Sequence, residues 1–316
     1  MSTAHAEENQ SPSKPQPRTS QEKFNLFVEQ FSIFDFIDPS KPWVLVENGS
    51  LVGFFDWVPS KFRVGPWSLV AKLYMAAIIY MLALGTSYVY IHTPSKGWMQ
   101  EFNQLNEPYT AFTASWIYNL SVFVWMIYVA YSIMFSSPMA VAAWITYTVQ
   151  SWTIITLRHG LSVFAPFFPS LTLVSEILRF PSLISASVTF FVWNFLLAPV
   201  ILIFLVKDGE QRKRFLAYFT NFRLTQLHVF NIFFAVINGV YAKPIRPLHL
   251  GDLCIGGLLM VGYMFWYYFV LDRFGVHLYP IFSPRTPYVV FAWSLVIMAY
   301  AGGFLIWQAI LEAKTR

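Results

Sequence analysis

The chain has 316 residues, of which 56% are hydrophobic, 19% aromatic and only 12% charged, whereas an ordinary soluble domain has roughly 25% charged residues. This composition indicates an integral membrane protein. The formal net charge of +5 comes from Lys and Arg placed between apolar runs, which suits flanks beside an anionic leaflet and excludes a nucleic-acid surface. The single cysteine, Cys254, excludes an intramolecular disulfide framework.

The amino-terminal part of the chain differs from the rest in composition. Residues 1–23 are rich in Ser, Pro and Gln, have no apolar run and are predicted to be a disordered polar tail. Residues 24–68 are aromatic-rich but interrupted, and the Asn48-Gly49 pair inside them predicts a short hairpin. We expect this second segment to lie at the membrane interface, and we expect residues 69–316 to form the transmembrane domain.

Runs of about 20 apolar residues, the length that crosses a hydrocarbon core of roughly 30 Å, recur through the rest of the chain. They fall at about 69–91, 112–135, 182–206, 224–242, 252–271 and 288–311. The sequence therefore predicts an all-α, polytopic transmembrane helix bundle with six spans. The region 139–178 between the second and third runs is ambiguous, since it fits one span, a hairpin of two or a re-entrant insert.

One of these runs carries unusual polar residues near its start. His228 opens the stretch His-Val-Phe-Asn-Ile-Phe-Phe-Ala-Val-Ile-Asn, which is otherwise apolar. A strongly polar side chain in hydrocarbon costs on the order of a few kcal/mol, so it needs a partner or a function. His228 is therefore the first candidate site residue.

Four short motifs around these spans occur in a recognisable order. They are Phe112-Thr113-Ala-Ser-Trp116, Val188-Thr189-Phe-Phe-Val-Trp193, Leu227-His228-Val-Phe-Asn231 and Gly275-Val-His-Leu-Tyr279-Pro280. Together they resemble the androgen-induced-gene and rolling-stone superfamily of multi-span membrane proteins. The resemblance covers roughly residues 69–311, within which 139–178 looks like an insertion.

The resemblance implies a specific chemistry. The androgen-induced members are membrane-embedded threonine hydrolases that cleave fatty acid esters of hydroxy fatty acids, and their essential pair is one Thr and one His. Carried onto this chain, the histidine is His228 and the threonine is Thr113, although two residues rather than one separate Thr113 from Trp116. Ser115 and Thr110 lie on the same approach to the span and are alternative nucleophiles.

The pairing of a hydroxyl with an imidazole is also chemically reasonable without the resemblance. A hydroxyl is a weak nucleophile until an adjacent base removes its proton, and a neutral imidazole is the usual base near pH 7. Asn231, one helical turn after His228, is a candidate supporting residue. Asn194 and Asn119 are candidates for orienting water or polarising an ester carbonyl.

The topology of 139–178 decides whether this pair can form. The basic segments at Lys61 and at Lys207 to Arg214 share one face only if an odd number of crossings separates the second and third spans. Thr113 and His228 each begin a span, so they share a leaflet only if that number is even. We favour the even case, with a re-entrant hairpin that turns at Arg158-His159-Gly160.

Other functions are carried as alternatives. A small-molecule transporter or channel would use the intramembrane His, Asn and Asp residues to line a polar path, and a non-enzymatic membrane partner of the rolling-stone type would use none of them chemically. The six histidines show no paired metal-ligand spacing, so we predict no metal or other cofactor. The expected partner is a lipid substrate, in the endoplasmic reticulum or the plasma membrane.

Overall fold

The computed structural model describes residues 67–92, 109–136, 140–205, 208–241, 245–272 and 279–316. The predicted polar tail and nearly all of the predicted interfacial segment, including its Asn48-Gly49 hairpin, lie outside these ranges. Every regular element in the described part of the chain is helical.

The described residues form nine helices. They are α1 (Leu69–His92), α2 (Ala114–Ser136), α3 (Tyr147–Phe164), α4 (Ser170–Ile177), α5 (Arg179–Phe191, extended by π-helical turns at Val192–Leu197 and Ile201–Leu205), α6 (Gly209–Phe219), α7 (Phe222–Tyr241), α8 (Leu250–Leu271) and α9 (Tyr288–Thr315). Short 3₁₀ turns, Ala140–Ile145 and Pro280–Phe282, precede α3 and α9.

Within the described ranges, six stretches are long and apolar enough to cross a membrane. They are Leu69–Val89, Ala114–Phe135, Ser170–Ile203, Phe222–Tyr241, Leu250–Leu271 and Tyr288–Thr315. The predicted all-α bundle and its six apolar spans are therefore confirmed, and they indicate an integral membrane protein.

The region between the second and third spans is one more full-length helix, so the predicted re-entrant hairpin is wrong. Helix α3 continues through Arg158, His159 and Gly160 and ends at Phe164. The sequence Arg-His-Gly does not interrupt it because all three residues are accommodated inside the bundle. The Arg158 Nε donates to the Ser175 carbonyl (3.2 Å), and His159 bonds Asn119 (2.8 Å).

Helix α3 runs antiparallel to α2 along its whole length. The Trp116 indole donates to the Val163 carbonyl near one end of the pair (2.9 Å), and the Trp152 indole donates to the Met126 carbonyl near the other (3.1 Å). At 18 residues, α3 is about 27 Å long. The chain therefore makes an odd number of crossings between the second and third apolar spans.

This extra crossing fixes which helix ends share a face of the bundle. We call the face where α1 begins the Trp67 end, and the face where α2 begins the Tyr109 end. Helices α1, α3, α7 and α9 begin at the Trp67 end, and the basic helix α6 lies there too. Helices α2, α4 and α8 begin at the Tyr109 end.

Helix α5 is the centre of the bundle. Its residues 179–189 are all buried, and it packs against α3, α7, α8 and α9. Small side chains allow this close packing, and their hydroxyls bond backbone carbonyls within the helix, as Ser182 does to Arg179 (2.8 Å) and Ser187 does to Leu183 (2.7 Å). Ser182 and Ser187 thereby enter the core with their hydroxyl donors paired.

Candidate functional site

The His228 imidazole is held between a backbone carbonyl and a threonine hydroxyl. Its Nδ1 lies 3.0 Å from the Leu224 carbonyl and its Nε2 lies 3.3 Å from the Thr148 Oγ1. A carbonyl only accepts hydrogen bonds, so in the neutral ring Nδ1 carries the proton and Nε2 presents its lone pair. The Thr148 hydroxyl is therefore the donor, and its proton points at a base.

Local irregularities of two helices place this ring. His228 lies in the π-helical turn Gln226–Phe230 of α7, and Trp193 lies in the π-helical turn Val192–Leu197 of α5. The two rings stack with centroids 4.1 Å apart. The Asn194 amide donates to the His228 carbonyl (2.9 Å). π-Helical turns occur often at functional sites. The described helices contain five of them, and two meet where Trp193 stacks on His228.

Thr148 is positioned by the first turn of α3. The preceding Thr146 caps the helix by accepting from the Val149 amide (3.3 Å), which fixes where the helix starts. Thr148 then projects from that first turn toward α7. It stands at the Trp67 end, the face at which α7 also begins.

A small cavity of about 70 Å³ lies beside the Thr148 hydroxyl. Its lining residues include Thr189, Trp193 and Tyr279, and the wall is mostly apolar. Within the described residues, the buried Trp193 Nε1 and Thr189 Oγ1 have no hydrogen-bond partner. Buried polar groups are seldom left in this state, so these two atoms are available to a bound group.

Tyr279 adds a third polar group on the same wall. Burial raises the pKa of Tyr279 to about 12, and hydrogen bonds with the side chain of Thr148 and the backbone of Tyr147 oppose the rise. The phenol therefore keeps its proton at neutral pH and can act as a donor. Because Tyr279 lies next to Thr148, its phenol O–H is a donor close to the Thr148 hydroxyl that faces His228.

The structure does not place Thr113 beside His228. Thr113 is exposed at the start of α2, where its hydroxyl donates to the Thr110 carbonyl (3.1 Å) and accepts from the Trp116 amide (3.2 Å). This is a helix-capping role.

Helix directions explain the separation of Thr113 from His228. Helix α7 runs antiparallel to α2, as the Trp125–Gln226 hydrogen bond (3.0 Å) near one end and the Asn119–Asn238 bond (2.6 Å) near the other demonstrate. Thr113 is thus about 18 Å along α2 from the level of Gln226. Thr110 and Ser115, the alternative nucleophiles, lie at the same Tyr109 end as Thr113.

The predicted supporting asparagines have different environments. Asn194 holds the His228 backbone, as described above. Asn231 is fully buried, and neither its Oδ1 nor its Nδ2 has a hydrogen-bond partner among the described residues. Asn119 lies farther away, in a buried cluster in which its Oδ1 bonds both His159 (2.8 Å) and Asn238 (2.6 Å).

Sequence reasoning missed Thr148. Thr148 lies in the region 139–178, which the resemblance treats as an insertion. It belongs to helix α3, whose polar residues lower its mean hydropathy. A usable signal was present, because the basic segments favoured an odd number of crossings. That topology makes a helix in 139–178 begin at the same face as the helix of His228.

A second buried polar cluster lies at the Tyr109 end. The Glu176 carboxylate accepts from Arg179 (2.7 and 2.9 Å), from Arg246 (2.9 Å) and from the Tyr109 hydroxyl (2.7 Å). Arg246 in turn pairs with Asp252 (2.7 Å). These groups are joined to one another by charge-assisted hydrogen bonds, which is the arrangement that buried charges require.

Neither region resembles a metal site, since the described residues contain no group of three or more His, Cys, Asp or Glu side chains that could hold a metal ion. Comparisons with protein-family models, with curated proteins and with solved structures gave no match. The site is therefore interpreted from its own geometry.

Proposed function

We propose that this protein is an intramembrane hydrolase of lipid esters, in which Thr148 is the nucleophile and His228 is the general base. The observation that carries the proposal is the short chain of contacts Thr148–His228–Leu224, in which a hydroxyl faces a base and the base is oriented by a third group. The 3.3 Å separation suits a site without substrate, where such contacts are commonly long.

The resemblance noted in the sequence supports the same place but a different threonine. Three of its four motifs contribute to this region, through Thr189 and Trp193, through His228 and through Tyr279. The fourth motif, which contains Thr113, lies at the opposite end of the bundle. We therefore assign the nucleophile to Thr148, and we retain fatty acid esters of hydroxy fatty acids as the proposed substrate class.

In the first half of the reaction, the Thr148 Oγ1 attacks the ester carbonyl while His228 Nε2 takes the hydroxyl proton. The tetrahedral intermediate collapses as the same proton passes from His228 to the leaving alkoxide, which releases the alcohol and leaves an acyl-threonine. In the second half, His228 removes a proton from water, the hydroxide attacks the acyl carbonyl, and that proton returns to Thr148 as the fatty acid leaves.

The cavity wall supplies donors for the charge that develops on the carbonyl oxygen. Trp193, Thr189 and Tyr279, each of which carries a donor group, all line the cavity. Donors fixed in a dry site stabilise an oxyanion strongly, because they need not reorient during the reaction. At about 70 Å³, the cavity has room for an ester group and the attacking water but not for the whole of a lipid.

Orientation in the membrane follows from the positions of the basic residues. Helix α6 carries Arg212, Lys213 and Arg214 exposed at the Trp67 end. The positive-inside tendency places this end, and with it the Thr148–His228 pair, toward the cytoplasm. The endoplasmic reticulum and the plasma membrane are both compatible with this orientation.

The test is hydrolysis of a branched fatty acid ester by purified protein in detergent or nanodiscs. We expect Thr148→Ala and His228→Ala each to lower the rate about 10³-fold, and Thr148→Ser to retain part of it. Thr156→Ala is the matched control, since Thr156 lies on the same helix and its hydroxyl donates to the Trp152 carbonyl of that helix (2.8 Å).

Two results would overturn the proposal. One is absence of hydrolysis by the wild type across several ester classes, after which a transporter or a non-enzymatic partner becomes the better hypothesis. The other is hydrolysis that survives both Thr148→Ala and His228→Ala at matched folded yield, which would move the chemistry to another site.

A further inference from the structure

A long apolar groove runs between α5 and α9, close to the Thr148 cavity. Its volume is about 540 Å³, and its wall includes Ile184, Phe191, Gly302 and Ile306. The volume falls in the range of sites that hold small molecules, roughly 300 to 1,000 Å³. The groove is thus large enough for the part of a lipid that the cavity excludes.

The groove and the cavity share part of their walls, and we call the two spaces together the seam. Val188 and Val192 of α5 border both spaces. Along α9, Trp293 lines the cavity and Trp307 lines the far end of the groove, so the seam is about 21 Å long. A single leaflet of a membrane has a hydrocarbon depth of about 15 Å, so the seam accommodates a long acyl chain.

The chemistry of the groove wall selects hydrocarbon. Its one hydroxyl, that of Ser187, donates to the Leu183 carbonyl (2.7 Å) and accepts from the Trp307 indole (3.2 Å). The polar groups of Ser187 and Trp307 in this wall are therefore already hydrogen-bonded within the protein. Phe191 and Ile306 are more than half exposed on the outer surface of the bundle, so the groove opens sideways, toward the lipid.

Two adjacent glycines shape the floor of the groove. A Cβ on Gly303 would overlap the Ile184 side chain, whereas a Cβ on Gly302 would meet no atom within 4 Å. Gly303 therefore serves the close packing of α9 on α5. Gly302 serves no contact of this kind and leaves the groove open beside it.

We infer that the α5–α9 groove binds the acyl chain of the lipid ester and measures its length, while the ester carbonyl lies in the cavity at Thr148. This inference rests on the proposed hydrolase function and adds the place where the acyl chain of the substrate binds and the direction, sideways from the membrane, in which it enters. The carbonyl end of the chain passes Val188 and Val192, and the methyl end points toward Trp307.

The test fills the groove without touching the Thr148–His228 pair. In Gly302→Phe the new ring enters the open space, and hydrolysis of long-chain esters should fall about tenfold or more relative to short-chain esters, since each methylene kept out of an apolar site weakens binding roughly fourfold. Gly85→Phe is the control, because a side chain at Gly85 also meets no atom within 4 Å and lies on α1. An unchanged ratio of long-chain to short-chain hydrolysis in Gly302→Phe would overturn the inference.

A second measurement separates this inference from the proposed function. A diazirine-bearing long-chain ester, photolysed with the inactive His228→Ala protein in nanodiscs, should label Phe191 or Ile306 in a saturable way, and Gly302→Phe should abolish that labelling. Hydrolysis without groove labelling would overturn the groove assignment alone. Saturable labelling in a protein whose wild type hydrolyses no ester would overturn the hydrolase and leave a lipid-chain site. The absence of both hydrolysis and labelling would overturn the hydrolase function and the groove assignment together.

Discussion

The two ends of the bundle bury polar groups in opposite ways. At the Tyr109 end, Glu176 is matched by Arg179, Arg246 and Tyr109 in a set of short hydrogen bonds. At the Trp67 end, the contact between Thr148 and His228 is long, and the Trp193 indole nitrogen beside it has no partner among the described residues. The Glu176 carboxylate is therefore fully hydrogen-bonded, whereas the indole beside the Thr148–His228 pair is not.

This difference separates buried polar groups that stabilise the fold from buried polar groups that can take part in a reaction. A closed set of ion pairs offers nothing to a ligand, and breaking it leaves a charge without compensation. The Thr189 hydroxyl and the Trp193 indole have no hydrogen-bond partner among the described residues, so a substrate in the cavity can bond them. We therefore expect substitutions at the Trp67 end to change activity and substitutions at the Tyr109 end to change stability.

The largest effect is expected from Thr148→Val, which removes the hydroxyl and keeps the shape of the side chain. Hydrolysis should fall about 10³-fold or more, while the free energy of unfolding changes by less than about 1 kcal/mol, the value of an ordinary hydrogen bond. Parallel rate measurements and chemical denaturation in the same detergent check both parts. Comparable losses of folded protein and of activity would contradict the division between the two ends.

Glu176→Gln should have the reverse effect. The neutral amide leaves buried arginines without their shared carboxylate, so the protein should be destabilised by about 3–5 kcal/mol. Denaturation of the variant and the wild type measures this directly, and the activity of the fraction that stays folded should be normal. Glu210→Gln is the matched control, because Glu210 forms an exposed pair with Lys213 and should contribute little to stability.

Trp193→Phe sharpens the account of the cavity. The substitution keeps an aromatic ring against His228 but removes the indole N–H, so the rate should fall about 10² to 10³-fold if that N–H binds the oxyanion. The loss should appear in kcat and leave KM nearly unchanged, since the bond strengthens in the transition state. A change confined to KM would assign Trp193 to substrate binding alone.

Thr113→Ala should have the smallest effect. Loss of the helix cap should lower the free energy of unfolding by about 0.5–2 kcal/mol, and the rate per folded molecule should not change. A Thr113→Ser variant, which keeps the capping oxygen, should restore the stability. Loss of activity in Thr113→Ala at full folded yield would instead support the pairing implied by the family resemblance.

The sequence allowed most of the fold to be predicted, because length and apolarity are sufficient to identify six spans. Helix α3 was not predicted as one continuous helix, because Gln150, Arg158 and His159 make it less apolar. Each of these residues is hydrogen-bonded inside the bundle. Which polar residues find internal partners depends on helices distant in the chain, and no local pattern reports it.

The candidate site was predictable only in part for the same reason. His228 was identifiable because a histidine in hydrocarbon needs a partner. Its actual neighbour, Thr148, is set by the direction of α3. The family resemblance assigned the threonine to Thr113, and the re-entrant hairpin, favoured because it brings Thr113 to the face of His228, left out the helix that carries Thr148.

The central claim, that Thr148 is the residue acylated during the reaction, is tested most directly by covalent labelling. The full-length protein would be treated with a long-chain alkyl fluorophosphonate, and the modified residue would be located by peptide mass spectrometry. The account predicts a single adduct on Thr148 that disappears in His228→Ala. An adduct on Thr113, Thr110 or Ser115, or labelling of Thr148 that persists without His228, would contradict it.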